Sequence, residues 1–349
     1  MNDYPPQKKM MEAPENQHIE SICQRSFRLA PAGLIIDGGN RVFGRVLARQ
    51  LRAAIADVET GVSVAQAAKE GLFANSGILL VNYDALSSEE RRELLALIEE
   101  EVICGHVLIL SSGLPSKELA TLLFDHRLTN FLRTTNELPE LDELLVTIHK
   151  LVTKDLFGLD KYFPWGCPVT SLQAYNRAEA LEAVQFAKSF AKRLVAAQRL
   201  GDAFEVATYE LVTNALYNGP CDAQGRPLYA HLARNEDVSL SKDEPIEIRL
   251  CGDGRRIGVS ITDVFGTLSS NRVLDYLGKC LRQGRDQIDV KPGGAGLGLY
   301  YSYSSVSHLA VNLAPQKRTE MIGLIDVRGS YKEFVSRGKS FNIFKAEVG

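Results

Sequence analysis

The residues best placed to do chemistry lie in YELVTNALYN (209–218). On a helix, Glu210, Asn214 and Asn218 stand at i, i+4 and i+8, each step turned by about 40° and the stripe about 12 Å long. A carboxylate and two carboxamides in one line offer the oxygen ligands that a hard cation such as magnesium accepts, with phosphate oxygens completing the shell. The same stripe would also serve as a solvated helix face, so it gains meaning only in company. ITDVFGTLS (261–269) ends a strand-like run in Asp263 and turns through Gly266. A carboxylate held there can accept a hydrogen bond from an exocyclic amine such as that of adenine, or can cap its own turn. GGAGLGLYYS (293–302) places Gly294, Gly296 and Gly298 at alternate positions where a helix opens. Backbone bare of side chains and a free helix N-terminus suit phosphate oxygens. The chain has no G-x-G-x-x-G after the first strand of a βαβ unit and no GxxxxGK[ST], which excludes a dinucleotide fingerprint and a P-loop.

In this order the three segments resemble the boxes of the GHKL ATPase superfamily, which includes histidine-kinase catalytic domains and anti-sigma serine kinases. YELVTNALYN is similar to the N box, ITDVFG to the G1 box and GGAGLGL to the G2 box, and the resemblance spans roughly residues 176–345. It implies that Glu210 activates a water or hydroxyl and that Asn214 is a magnesium ligand. It further implies that Asn218 contacts phosphate or metal, that Asp263 reads adenine, and that Gly266, Gly294, Gly296 and Gly298 approach the nucleotide, with ATP and Mg2+ as cofactors. One departure stands in the G1 box: the family pattern D-x-G-x-G is here Asp263-Val264-Phe265-Gly266-Thr267, so a large ring replaces a glycine. The stretch between the boxes (268–292) carries Arg272, Lys279, Arg282, Arg285 and Lys291, each a candidate for the γ-phosphate and each equally a surface cation.

These residues need elements to hold them. Apolar positions Leu181, Val184, Ala187, Ala191 and Leu194 predict an amphipathic helix over 176–197, and a second helix over 202–217 after a break at Gly201. IEIRLCGD (246–253) and RRIGVSITD (256–264) read as a hairpin, 270–283 as a helix, 308–327 as another antiparallel pair and 340–344 as a final strand. The expected second half (176–349) is an α+β two-layer sandwich, the Bergerat/GHKL fold.

The first half reads differently. Apolar runs at 34–39, 77–84, 106–113 and 128–134 alternate with helices at 42–56, 87–102, 116–124 and 139–157, predicting a parallel sheet covered on both faces. Residues 31–158 therefore make an α/β doubly wound (flavodoxin/CheY-like) domain that resembles the receivers of response regulators. The resemblance implies a phosphorylatable aspartate, yet Asn82 takes that place, with Asp84 two residues on as a substitute. Asp37 is the one acid after the first strand, Ser111 fits the hydroxyl position, and only Arg133 stands near the expected lysine. A carboxamide cannot form an acyl phosphate, so a pseudo-receiver is expected. Residues 1–30 read as a loose polar arm. Residues 159–175, with Trp165 beside Phe163, read as an aromatic linker that packs on a domain.

Of 349 residues, 45% are hydrophobic and 24% charged, enough to build real cores. A formal charge of −3 gives no support for direct nucleic-acid binding. No apolar run reaches the roughly 18 residues of a membrane span, MNDYPPQKKMM lacks the core of a secretory signal, and six scattered cysteines form no C-x-x-C. A cytoplasmic protein is expected. The chain ends at Gly349, soon after the glycine loop, leaving little room for the transducer of gyrase-like members. His149 in TIHKLV lacks the acidic neighbour of a phosphoacceptor histidine and reads as a surface residue. The functional expectation is an ATP/Mg-binding signal-transduction protein, a kinase of the anti-sigma or histidine-kinase-like type. It would transfer the γ-phosphate to a protein partner such as a sigma factor, a response regulator or an antagonist, serine or threonine before histidine. The alternative is a non-catalytic, nucleotide-gated module that sequesters such a partner; a homodimer fits either reading.

Overall fold

The computed structural model describes residues 32–52, 54–55, 57–103, 105–136, 138–283 and 297–346. The N-terminal arm, Gly294, Gly296, Arg285 and Lys291 lie outside the described residues. Among the described residues twelve strands join into one sheet: β1 Gly33–Ile36, β2 Val58–Val62, β3 Ile78–Asn82, β4 His106–Ser111, β5 Asn130–Thr135, β6 Leu138–Pro139, β7 Val169–Ala174, β8 Ile246–Gly252, β9 Arg256–Asp263, β10 His308–Ala314, β11 Arg318–Asp326 and β12 Ser340–Lys345. Their order is β2-β1-β3-β4-β5-β12-β10-β11-β9-β8-β7, with β6 on β5. Among the described residues the helices are α1 Arg41–Leu51, α2 Val64–Lys69, α3 Leu72–Asn75, α4 Ser88–Glu99, α5 Ser116–Phe124, α6 Leu141–Thr153, α7 Arg177–Leu194, α8 Gln198–Asn218, α9 Ser270–Gln283, α10 Leu297–Ser304 and α11 Tyr331–Ser336.

In the first half, β1 to β5 are all parallel. Every residue of β1 and β3 is buried, as two covered faces require. Helices α1 and α6 cover one face, and α2 to α5 the other. Helix α4 starts in a capping box: Ser87 Oγ accepts from the Glu90 N–H, and Glu90 Oε2 accepts from the Ser87 N–H. Strand β2, absent from the apolar runs, pairs with β1 at the sheet edge; its alternating exposure gives it no continuous apolar signal.

The second half continues the same sheet. Strand β12 runs parallel to β10 along six residues and antiparallel to β5 at Phe341–Phe131 and Asn342–Asn130. Helices α7, α8 and α10 cover one face. The opposite face carries Ala310, Ile322 and Leu324, and it is not left to water. Helix α6 and the segment after it lie there, with Ile148, Leu151, Leu159 and Tyr162 in the same core. The C-terminal half therefore has a third layer, lent by residues 141–163, where the sequence led to the expectation of two.

Three local expectations change. Residues 159–175 are built into the body: Leu159–Tyr162 is a helical turn with Leu159 and Tyr162 buried, and 169–174 form β7, the edge strand paired with β8. Within that segment Phe163 is buried but Trp165 is not packed at all, because a turn with Gly166 at φ 87° projects it fully into solvent. The break between α7 and α8 falls at 195–197, where Val195 goes extended; Gly201 sits inside α8, where its Cβ position is open space and a helical glycine costs only propensity.

Beneath the shared layer lies a buried polar cluster. The Lys150 side chain is fully buried, and its Nζ donates to Tyr162 OH (3.2 Å) and Asn312 Oδ1 (3.3 Å). Glu320 Oε2 accepts from Asn312 Nδ2 (2.8 Å) and from the Gly158 N–H (2.9 Å). Burial pushes the Lys150 ammonium down to about 7, with the Glu320 carboxylate opposing. Above pH 7 the native chain has given up this proton while the unfolded chain keeps it to about pH 10.4. The unfolded state then binds more protons, so the unfolding free energy gains a term that rises with pH across that window. Urea midpoints of wild type and Lys150→Met, measured from pH 7 to 9.5, should show wild type gaining on the variant as pH rises. Parallel curves would show that the amine titrates as it does in the unfolded chain.

Candidate functional site

Helix α8 delivers the carboxylate–carboxamide stripe. Its apolar side, Leu200, Phe204, Leu211, Val212 and Leu216, is buried in the core. That anchoring leaves Glu210, Asn214 and Asn218, all partly exposed, along the next face. Asn218 Nδ2 donates to Asn214 Oδ1 at 3.2 Å, so the two carboxamides are stacked as the helical spacing demands.

Strand β9 brings Asp263 to the same place. The strand is buried along its whole length, and Asp263 is its last residue. Its Oδ1 accepts from the N–H groups of Phe265 (2.9 Å) and Gly266 (3.1 Å), the turn-capping role that Asp can play on its own. Burial nevertheless dominates and raises this carboxyl to about 6, against the pull of those two N–H groups and of the Thr319 hydroxyl. Gly266 has φ 60°, and a Cβ there would lie 2.5 Å from Ala314 O and Lys317 N. It is thus the hinge that lets the turn lie on the β10–β11 hairpin, and it supports Asp263 through its N–H.

Asp263, Asn214 and Asn218 line one cavity of about 80 Å³, walled by apolar side chains such as Leu211, Ile261 and Met321. Beside the apolar wall, three further lining residues lie outside the motifs. Thr319 stands directly across from Asp263 in the β9–β11 ladder, and its buried hydroxyl makes no hydrogen bond of good geometry. Gly219 ends α8 where a Cβ would meet Asp263 Cγ at 3.4 Å and the Phe265 ring at 3.3 Å. Tyr276 comes from α9. Cross-strand register and the angle of a neighbouring helix placed these residues, and no local spacing encodes either. Phe265, the ring in the glycine's position, packs beside Gly219 and does not line the cavity.

Helix α10 brings Leu299 to the cavity and Gly298 against the stripe. A Cβ on Gly298 would sit 2.6 Å from Glu210 Oε2 and 3.3 Å from Asn214 Nδ2, so helix α10 lies close on the stripe and a side chain here would displace the Glu210 carboxylate. Glu210 lies outside the cavity lining, one turn before Asn214 along α8. Burial raises its carboxyl above the ordinary value, with the Arg234 guanidinium opposing. Arg234 comes from the loop between α8 and β8 and lies over the Tyr217 ring, 4.7 Å from its centroid. Of the cations expected near phosphate, Arg272 lines the cavity, Lys279 is exposed, and Arg282 is paired with Asp125. Among the described residues no group of three or more His, Cys, Asp or Glu side chains forms a ready-made metal site.

The acid positions of the first half sit at the ends of β1, β3 and β4. Asp37 Oδ1 accepts from the Gly39 N–H (2.9 Å), and Asn82 Nδ2 reaches the Asp37 carbonyl at 3.5 Å. Asp84 is fully engaged, accepting from Ser111 Oγ and the Ser112 N–H, both at 2.6 Å. Arg133 turns away to Asp326, 3.1 Å distant and buried with it. His149 is exposed on α6, as its sequence context suggested. Across the described residues no helix is long and apolar enough to cross a membrane. No family model matches the chain, and no curated protein matches it.

Proposed function

We propose that the chain is a GHKL-type ATP-binding signalling protein in which a receiver-like first half is joined to a nucleotide-binding second half. The parallel order 2-1-3-4-5 of the first half supports a flavodoxin-like reading of it. One observation carries the nucleotide reading: Asp263, Thr319, Asn214 and Asn218, from two strands and a helix, converge on a single apolar-walled cavity. A slot with apolar walls and a carboxylate at its end suits a flat aromatic ring bearing an amine. One Asp263 oxygen is occupied by its turn, which leaves the other for that amine, and the Thr319 hydroxyl, directly across from Asp263 and helping to hold its ionised form, can turn to a ring nitrogen or a bridging water.

The carboxamide oxygen of Asn214 is a donor of the kind magnesium takes when phosphates supply much of its shell. Bound there with the nucleotide, the metal would neutralise charge on the transferring phosphoryl group. Glu210, with its raised pKa, would then orient and deprotonate a hydroxyl of a protein partner, a serine or threonine before a histidine. The partner classes are a sigma factor, a response regulator or an antagonist.

Two outcomes follow. The Asp263 carboxyl titrates near 6, and an amine donor favours its ionised form, so affinity for a non-hydrolysable ATP analogue should fall as pH is lowered from 7 to 5. Calorimetry should find this fall in wild type and a weaker, flatter response in Asp263→Asn; identical pH profiles would take Asp263 out of the adenine site.

The second outcome concerns Glu210→Gln, which keeps the side chain's size and hydrogen bonding. It should bind nucleotide nearly as wild type does while phosphoryl transfer to a partner protein drops by roughly 10²-fold or more. γ-labelled ATP and partner proteins encoded beside the chain's own gene supply the assay, and acid-stable label marks serine or threonine. Partners that bind in a nucleotide-dependent way, with no label in wild type, would favour the non-catalytic sequestering module instead.

A further inference from the structure

Helix α9 is the wall of the cavity least anchored by the sheet. Its Arg272 and Tyr276, one turn apart, line the cavity, while Val273, Leu274 and Leu277 point into the core. Its remaining face rests on α5, an element of the first half. There Gly278 is buried against Phe124, where a Cβ would come within 2.8 Å of the Phe124 Cβ. The Arg127 guanidinium carbon lies 5.2 Å, and that of Arg282 4.7 Å, from the Phe124 ring centroid. Each arginine also bonds an acid of the opposite half: Arg127 Nη1 meets Asp275 Oδ1 at 2.5 Å, and Arg282 pairs with Asp125. The two ion pairs thus cross the seam in opposite senses, with Phe124 between the guanidinium groups.

The charged side chains of both pairs are 38–46% exposed, too wet for either to add much to stability. Their geometry, however, fixes the rotation and height of α9 about the Phe124–Gly278 contact. A helix that is fixed on one face by the first half and forms a cavity wall with an adjacent face transmits the placement of one half into the site of the other.

We propose that Phe124, Asp125 and Arg127 are positioning residues for the nucleotide cavity. They hold α9 so that Arg272 and Tyr276 meet the ligand, and the α5–α9 seam makes nucleotide affinity depend on the first half. This inference rests on the nucleotide reading of the cavity given above.

Charge reversal with swap rescue tests it on the full chain, with magnesium and a non-hydrolysable ATP analogue as the probe in calorimetry. The seam account expects Arg127→Asp and Asp275→Arg each to weaken binding by about fivefold or more, and the double variant to return to near wild type. Simple long-range attraction of an anionic ligand predicts something else: Asp275→Arg would tighten binding, Arg127→Asp would loosen it, and the double variant would sit at wild type by cancellation. Thermal unfolding midpoints of all four proteins should be close, since the pairs are surface pairs. Amide hydrogen exchange along 272–282 should quicken in the single variants and slow again in the double. Wild-type binding left unchanged by both single variants, or opposite shifts in the two, would overturn the seam alone. Absence of saturable binding in the wild type would overturn the nucleotide reading and this inference with it.

Discussion

The structure depends on where one strand is placed. Strand β12, the last described element, lies between β5 and β10, and through it two dissimilar sheets become one. Its backbone bonds to β5 are few, but its side chains are tied on both sides. Ser340 Oγ donates to Glu143 Oε2 at 2.8 Å and accepts from the Arg133 N–H at 3.1 Å. Asn342 holds His308 Nε2 through its Oδ1 at 2.7 Å and donates to Asn130 Oδ1 at 3.2 Å. All of these side chains are buried, so losing one partner strands another away from water, at a cost of about 1–3 kcal/mol per group. Such a network sets a register as well as a contact, because an apolar strand could slip where this one cannot.

From that seam the arrangement of the candidate site follows. With the two sheets joined, α6 and the turn after it lie across the far face of β10 and β11, and the near face is left to α8 and α10. Helix α8 then runs past the ends of β9 and β11, which sets Asn214 and Asn218 beside Asp263 and Thr319. The close approaches are made by residues without side chains: Gly219 beneath Asp263 and Gly298 over Glu210. A methyl group at Gly298 would meet the Glu210 carboxylate, so alanine there would move that side chain or α10.

Much of this was legible in the sequence because the relevant signals are local. Fully buried parallel strands read as apolar runs, and β3 and β4 were found within a few residues. Helix α9 was found at both ends, and the Glu210–Asn214–Asn218 stripe needed only the 3.6-residue period. What escaped has long-range causes. β7 reads as part of a linker because its mostly half-buried residues stand at an edge and follow prolines and a glycine. The covering of the C-terminal sheet by α6 could not be read, since one apolar helix face looks the same whichever sheet it meets. Thr319, Gly219 and Tyr276 reach the cavity by cross-strand register and helix placement. Trp165 misled by composition: an aromatic cluster suggested packing, but a single turn buried Phe163 and turned Trp165 outward.

The central claim is that the cavity at the end of β9 receives the adenine of a magnesium-bound nucleotide. A crystal structure of the full chain grown with magnesium and a non-hydrolysable ATP analogue tests it most directly. The account predicts the exocyclic amine within hydrogen-bond distance of the Asp263 carboxylate, beside Thr319, and the metal next to the Asn214 carboxamide. A nucleotide bound elsewhere, or one in the cavity with its amine turned away from Asp263, would contradict it.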